Sequence, residues 1–424
     1  QNLRSSGRGA VREEVKIGPD RIIYVVVKTD VLIIGGGPAG SYLARYLVRN
    51  GFNGDVMLID KKSVIYAPII CGELLPSEDL LRPWIGRGLY NVLLTTLRET
   101  LRREFIVNEI EWLRLVINGH DVGRMPFRTY LIDKAAMIRN VFEEAINGGA
   151  KVRFGVTAIK CVGKGDGYEC LVHDRGGGEY MISARVLIGA DAYPSIVDLS
   201  LGITNGFRAE DLIIATSARA RGKYTDDEAV IVMDPGIAPG GFAWIFPRGD
   251  GTHNIGVGVR NNIAWGGSNP LNHHMLFVSK YGLENTQRSV LMKTLPVGGL
   301  LNRYGIGNAY LIGDAVGSVI PTNGAGINPA MITAHLLGES LIHGSDYALS
   351  MNRLFRPLMD RMVMFRRIGD PLLMSRDAME LALRVSKSYM ASSIYEATLS
   401  SMRVGTLIKF LIGNLLIRLI SSLA

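Results

Sequence analysis

Gly35, Gly37 and Gly40 stand in the spacing G-x-G-x-x-G. In that spacing the first glycine permits a tight turn and the second lets backbone approach a pyrophosphate. The third lets a helix pack close to a strand. The phosphates then rest on the helix N-terminus, where free N–H groups and the macrodipole favour an anion. Asp60, twenty residues past Gly40, is placed to accept hydrogen bonds from a ribose diol. An acid there disfavours a 2′-phosphate, so the pattern suits FAD or NAD better than NADP.

The elements needed to hold those glycines are legible around them. Val31, Leu32, Ile33 and Ile34 form a continuous apolar run, as expected of a strand buried on both faces. Residues 41–49 have helical composition and stop at Asn50-Gly51. Residues 56–59 form a second buried strand, which Asp60 closes. The candidate nucleotide-site residues here are Gly35, Gly37, Ala39, Gly40, Asp60 and Lys61.

A second strand–loop–helix lies far along the chain, at residues 309–338. Tyr310, Leu311 and Ile312 run into Gly313-Asp314, a Pro/Gly loop follows, and a helix starts near Ile327. Asp314 is placed to bond a polyol hydroxyl. The helix N-terminus near Gly326 would face an electron-rich ring system. NAD needs no such distant second element, whereas extended FAD does, so the cofactor expected is FAD. Between the two, residues 186–188 are another buried strand, with Asp191 at its carboxyl end, where ligands of such folds sit.

The densest aromatic run is Phe242-Ala243-Trp244-Ile245-Phe246-Pro247, with Gly256-Val257-Gly258 shortly after. By pattern it fits an ordinary hairpin with Trp244 and Phe246 in a core. It fits equally a sheet face lining a large apolar pocket. Cys71-Gly72-Glu73 sits in a loop between Pro68 and Pro76, where a small thiol is usually incidental.

Composition narrows the class. The chain has 424 residues, 47% hydrophobic and 20% charged, with a net charge of +8. It is long enough for two or three domains. The basic residues are scattered and not interleaved with aromatics, so no nucleic-acid partner is expected. An anionic membrane surface or anionic ligands suit the charge better. Cys71, Cys161 and Cys170 are too few and too spread for a disulfide framework or a zinc site. No metal is expected, and a reducing cytoplasm is the default. Gln occurs only at positions 1 and 287, a scarcity of thermolabile amides that fits a hot habitat.

In order, the chain reads as a lead-in at 1–28 without a secretory signal. The first part of an FAD-binding domain follows at 29–204, with a helix from Lys134 and strands near residues 152–160 and 169–173. An antiparallel-sheet substrate domain spans 205–292, the second part of the FAD domain 293–345, and a helical region 346–424. The expected class is therefore α/β: a Rossmann-type FAD-binding domain with an inserted antiparallel sheet and a C-terminal helical region. At the end, residues 406–424 form an apolar stripe too short and charge-interrupted for a span. That stripe fits an interfacial membrane helix, an oligomer contact, or a helix docked on the core.

Three blocks together, residues 35–60, 242–258 and 313–327, resemble the geranylgeranyl reductase family of FAD proteins, within the p-hydroxybenzoate hydroxylase-like group. The family's Y/F-x-W-x-F-P followed by seven or eight residues and G-x-G is matched by Phe242, Trp244, Phe246, Pro247, Gly256 and Gly258. Its C-G-[DEG] segment, beside the flavin, is matched by Cys71, Gly72 and Glu73. Its GDA block is matched by Gly313, Asp314, Ala315, Gly317, Pro321, Gly324, Gly326 and Ile327. Two positions depart: Lys134 stands where an Arg usually serves the cofactor, and Asp191-Ala192 where Asp-Gly is usual. Ala158 is a further candidate cofactor contact.

The resemblance implies saturation of isolated double bonds in geranylgeranyl chains of archaeal membrane lipids, by a cytoplasmic protein peripheral to the membrane. Cys71 becomes a candidate catalytic proton donor, and the aromatic face a lining for the isoprenoid chain. The electron donor is left open between a ferredoxin and NAD(P)H, since no second G-x-G-x-x-G is present. The competing readings are an FAD monooxygenase or oxidase of an aromatic substrate, and a non-catalytic electron-transfer flavoprotein at the membrane.

Overall fold

The apolar run that opens the nucleotide motif becomes one long strand, Tyr24–Ile34, at the centre of a mixed sheet with a parallel core. The structure, a computed structural model, describes residues 14–15, 24–63, 70–82, 85–287 and 289–398. In the first sheet the order is Gly305–Ile306, Ala309–Leu311, Gly178–Gly189, Tyr24–Ile34, Val56–Asp60, Lys151–Phe154. The four pairings from Ala309–Leu311 across to Lys151–Phe154 are all parallel. That arrangement demands strands apolar on both faces, and Val31, Leu32 and Ile33 are fully buried. Each such side chain contributes about 1.5–3 kcal/mol on leaving water.

Helix Pro38–Arg49 follows the glycine turn and ends at Asn50, as its sequence predicts. Pro38 occupies the first helical turn, where a missing N–H costs nothing. Tyr42, Leu43 and Leu47 are fully buried, and Tyr42 faces neighbouring helices, its hydroxyl donating to Glu99 Oε2 at 2.6 Å. Helix Lys134–Asn147 begins at an Asp133 cap, whose side chain accepts from the Ala136 N–H.

The second sheet is antiparallel except where Glu228–Met233 runs parallel to Ile106–Ile117. Its order is Glu284–Asn285, Leu212–Arg221, His253–Arg260, Ala243–Pro247, Glu228–Met233, Ile106–Ile117, His120–Ile132, Leu74–Pro76, with Leu291–Pro296 also paired to Leu212–Arg221. This sheet is not confined to residues 205–292. The hairpin Ile106–Ile117 and His120–Ile132, from a stretch whose sequence pattern is mixed, joins it through long-range pairing.

Tyr347–Ser350, the π-turn Met351–Phe355 and the helices Arg356–Met374 and Arg376–Thr398 form the described part of the C-terminal helical region. Two buried arginines fix helix Arg356–Met374 to the sheet. Arg366 Nη2 is 2.5 Å from Asp211 Oδ1, and Arg260 Nη2 is 2.5 Å from Asp370 Oδ1. The apolar stripe at 406–424 lies outside the described residues, as does most of the lead-in. Among the described residues no helix is long and apolar enough to cross a membrane.

The cysteines correct the expectation drawn from their count. Cys161 and Cys170 face each other across the antiparallel strands Val156–Lys164 and Gly167–Asp174 and form a disulfide. Nine residues apart, they are symmetric about the turn at Gly165-Asp166, so hairpin register, not spread along the chain, decides their pairing. Cys71 is the free thiol.

Candidate active site

The three motif glycines each meet the constraint their spacing implies. Gly35 has φ of 106°, and a Cβ there would fall 2.4 Å from the Ala190 carbonyl oxygen. A Cβ at Gly40 would fall 1.9 Å from the Gly35 oxygen, so the helix rides directly on the turn. A Cβ at Gly37 would meet nothing within 4 Å, which leaves that face open to a ligand. The helix beginning at Pro38 has no side-chain cap, so its first N–H groups are available to an anion.

Asp60 also has a structural task at the turn. Its carboxylate accepts from the Gly36 N–H at 2.6 Å and the Lys62 N–H at 2.7 Å. It therefore braces the glycine turn from behind. Gly35, Gly40, Asp60 and Lys61 do not line the cleft described below. Ala158 pairs with Val172 and packs into the first domain's core, also away from the cleft.

One cleft of about 2970 Å³, counting its open mouth, runs between the two sheets and the C-terminal helices. Gly37, Ala39, Lys134, Gly313, Asp314, Gly324, Gly326 and Ile327 line its nucleotide side. Helix Ile327–His343 begins there at Gly326, again without a side-chain cap. Cys71 and Gly72 form a middle section, against Phe242, Trp244, Phe246 and Gly258. Much of the remaining lining is apolar, including Leu89, Leu113, Phe127, Ile231, Leu295, Phe355, Phe365 and Leu372 from both sheet and helices. The structure thus resolves the open choice at the aromatic run: Trp244 and Phe246 belong to a cluster of buried residues and also face the cleft.

Pro247 and Gly256 sit outside the lining. Pro247 presents its carbonyl to Asn108 Nδ2 at 3.0 Å. Gly256 lies under the indole, since a Cβ there would be 2.2 Å from Trp244 Cζ2. The glycine is what lets the ring lie across the neighbouring strand.

Lysines make the nucleotide side electropositive. Lys293 Nζ lies 2.6 Å from Asp314 Oδ2. Burial pulls its ammonium down, but the Asp314 carboxylate and the hydrogen bond to it, with a lesser contribution from Cys71, outweigh that and hold the group above its usual range. Burial pulls Lys62 down; Asp60 opposes this, while Lys134, Lys293 and Lys61 add to it. Open glycine backbone, two uncapped helix N-termini and this cationic cluster together fit a dinucleotide pyrophosphate.

Asp191 ends the strand Gly178–Gly189 beside the cleft-lining Ala190 and Ala192. Its Oδ2 accepts from the Ile196 N–H at 2.6 Å, while its buried Oδ1 has no partner among the described residues. Burial pushes its carboxyl up to about 6 against hydrogen bonds from Ser195 and Ile196 and the charge of Lys61. Ala192 takes the position where Asp-Gly is usual, at φ of 69°.

The loop bearing Cys71 is held by a network that sequence reading missed. Glu73 is 1% exposed and adopts φ of 59°, rare for a residue with a side chain. Its Oε2 accepts from Arg219 Nη2, from Arg248 Nη1 at 2.8 Å and from Asn254 Nδ2 at 3.0 Å. Burial pulls the Arg248 guanidinium down, opposed by Glu73 and reinforced by Arg219. The sequence signals were the C-G-[DEG] match and a charged residue in an otherwise apolar loop; its arginine partners lie more than 140 positions away.

Comparison with known proteins agrees with this geometry. Residues 212–297 match the family model described as geranylgeranyl reductase catalytic domain, and residues 28–68 match an FAD binding domain. Digeranylgeranylglycerophospholipid reductase 1 of Methanosphaera stadtmanae is 29% identical over 326 residues, covering 74% of this chain and 75% of that protein. The digeranylgeranylglycerophospholipid reductase of Methanosarcina acetivorans is 29% identical over 319 residues, covering 73% and 74%. The fold is that of a geranylgeranyl bacteriochlorophyll reductase-like protein of Thermoplasma acidophilum, with TM-score 0.71, 20% identity and 91% and 96% coverage. The flavin-dependent brominase Bmp2 shares it at TM-score 0.60 and 16% identity, over 91% of this chain and 94% of that one. The chain thus resembles a geranylgeranyl reductase catalytic domain over residues 212–297, on an FAD-binding fold, and it is an FAD-dependent oxidoreductase.

Proposed function

We propose that the protein reduces isolated C=C bonds in the geranylgeranyl chains of membrane lipids. The observation that carries this reading is the continuity of one cleft. Its nucleotide side bears helix N-termini and lysines, and its far side is lined by aliphatic and aromatic side chains. An isoprenoid chain offers no hydrogen bonds, so its recognition rests on burial of apolar surface.

When bound and reduced, FAD supplies the hydride equivalent such a reduction needs. The backbone N–H groups of Ala39 and Gly40, with Lys134, would hold its pyrophosphate, and Asp314 would orient the polyol. Phe242, Trp244 and Phe246 wall the chain and exclude water from the reacting carbons. The Cys71 Sγ–H gives its proton to the second carbon, and the thiolate then regains one from solvent. Hydride and proton together make the saturated bond.

The net charge of +8 and the apolar stripe at 406–424 support peripheral association with the membrane that carries the substrate. The electron donor is a ferredoxin or a nicotinamide docking at the cleft. Rates of flavin reduction with each donor separate these two.

The test is anaerobic reoxidation of the reduced flavin by a geranylgeranyl lipid, followed by flavin absorbance. Lipid-dependent reoxidation is expected. In a parallel aerobic assay with an aromatic substrate, oxygen-dependent reoxidation with a hydroxylated product, and none by lipid, would instead establish a monooxygenase. Cys71→Ser is expected to slow the lipid-dependent step about a hundredfold, the lower range of general-acid effects. Unchanged turnover in that variant would retire Cys71 as the proton donor.

A further inference from the structure

We infer that Asn254 is a positioning residue that couples the Cys71 loop to the aromatic wall, so that the flavin-side thiol and the substrate-side indole are set as one unit. Asn254 is 2% exposed and does not line the cleft. Its Oδ1 accepts from Trp244 Nε1 at 3.0 Å. Its Nδ2 donates to the Cys71 carbonyl at 2.7 Å and to Glu73 Oε2 at 3.0 Å.

The partners fix the orientation of the amide. An indole N–H only donates, and a carbonyl or carboxylate oxygen only accepts. The reverse orientation would set donor against donor at Trp244 and acceptor against acceptor at Cys71. Both amide hydrogens and the amide oxygen are therefore committed.

Strand geometry puts Asn254 where it can do this. It stands opposite Phe246 on one neighbouring strand and Arg219 on the other. Directly opposed residues share a sheet face, and Trp244 lies two positions from Phe246 on that face. The loop presses on the same surface: a Cβ at Gly72 would sit 3.1 Å from Phe246 Cε2 and 3.8 Å from Trp244 Nε1. The Arg219 and Arg248 pairs to Glu73 also hold the loop, and Ser217 Oγ reaches the Cys71 carbonyl at 3.5 Å, but none of these bonds involves the indole. The single amide pins carbonyl, carboxylate and indole in one register. Trp244 and Cys71 both line the cleft, so their separation is set by a residue that touches neither cofactor nor substrate.

The lipid-reducing role stated above supplies only the purpose of this coupling, and the test does not depend on it. Cys71 is the one cysteine outside the disulfide, so the rate of its modification by a thiol reagent in the holoenzyme reports the loop. Asn254→Leu, close in size, is expected to raise that rate about tenfold, with FAD content unchanged. Trp244→Phe removes the indole N–H and is expected to raise the rate by a smaller factor. In the double variant the two effects are expected to be non-additive. On a lipid substrate Asn254→Leu is expected to lower kcat more than it raises KM. A modification rate within about twofold of the parent protein in both folded single variants would overturn the coupling. If Asn254→Leu does not fold, an unchanged thiol rate in Trp244→Phe overturns it by itself. Altered thiol rates without any lipid turnover would leave the coupling standing and refute the lipid role.

Discussion

Lys293 Nζ, on strand Leu291–Pro296, and Asp314 Oδ2, on the 3-10 turn Gly313–Val316, are 2.6 Å apart in the lining of the cleft. The pair keeps a positive charge next to a position that must receive a polyanion. Replacing Lys293 by Met removes that charge and leaves the Asp314 carboxylate facing the cofactor alone. FAD affinity is expected to fall about tenfold or more, the scale of a charge-assisted hydrogen bond. Titration of the apoprotein with FAD, read by flavin fluorescence, measures it.

Gly40 and Gly37 should respond in opposite ways to the same added methyl. At Gly40 the Cβ would collide with the Gly35 oxygen at 1.9 Å. Gly40→Ala is expected to cost about 1–3 kcal/mol of stability, the range for overpacking. At Gly37 the space is open, so Gly37→Ala should leave stability within about 0.5 kcal/mol. It should nevertheless weaken FAD binding, because the methyl occupies the approach of the pyrophosphate. Urea unfolding and FAD titration of both variants separate the two effects.

The nucleotide half of the fold was legible because its signals are local. A double-sided buried strand, a glycine turn and a helix stop all lie within residues 31–51, and helix Ile327–His343 starts where the sequence places it. The second sheet was less so. Its parallel contact between Glu228–Met233 and Ile106–Ile117 joins segments over a hundred residues apart, and no periodicity within either announces the other. Asn254 and Lys293 read as ordinary strand residues for the same reason. Each acquires its role only from a partner supplied by tertiary packing. The Cys161–Cys170 bond could have been found from the register of their hairpin, had spacing been measured from the turn.

Glu73 should be the most costly side chain to remove near the site. Its carboxylate is buried against two guanidinium groups, and Glu73→Ala leaves both without their anion. Breaking a buried pair in this way costs about 3–5 kcal/mol. Glu73→Gln keeps the shape and part of the hydrogen bonding and is expected to cost less. Chemical denaturation gives both values, and loss of FAD from the alanine variant is expected alongside.

Asp191 makes a prediction with a definite sign. Burial raises its carboxyl from 3.8 to about 6 on folding, so the folded state binds its proton more tightly than the unfolded chain does. The stabilising contribution of the protonated acid is full below pH 3.8 and is lost as pH rises through 6. Asp191→Asn is neutral throughout and lacks this dependence. Stability measured by denaturation should fall less steeply for the variant than for the parent protein across that window. Parallel curves would remove Asp191 as the titrating group.

The central claim is that the apolar end of the cleft presents an isoprenoid double bond to the flavin side. Mass spectrometry of a geranylgeranyl ether lipid, after anaerobic incubation with the dithionite-reduced holoenzyme, tests it most directly. The account predicts species heavier by one H₂ for each bond saturated, and their loss in a Trp244→Ala variant that retains FAD. No mass gain with any prenyl lipid, from protein that still holds its flavin, would contradict it.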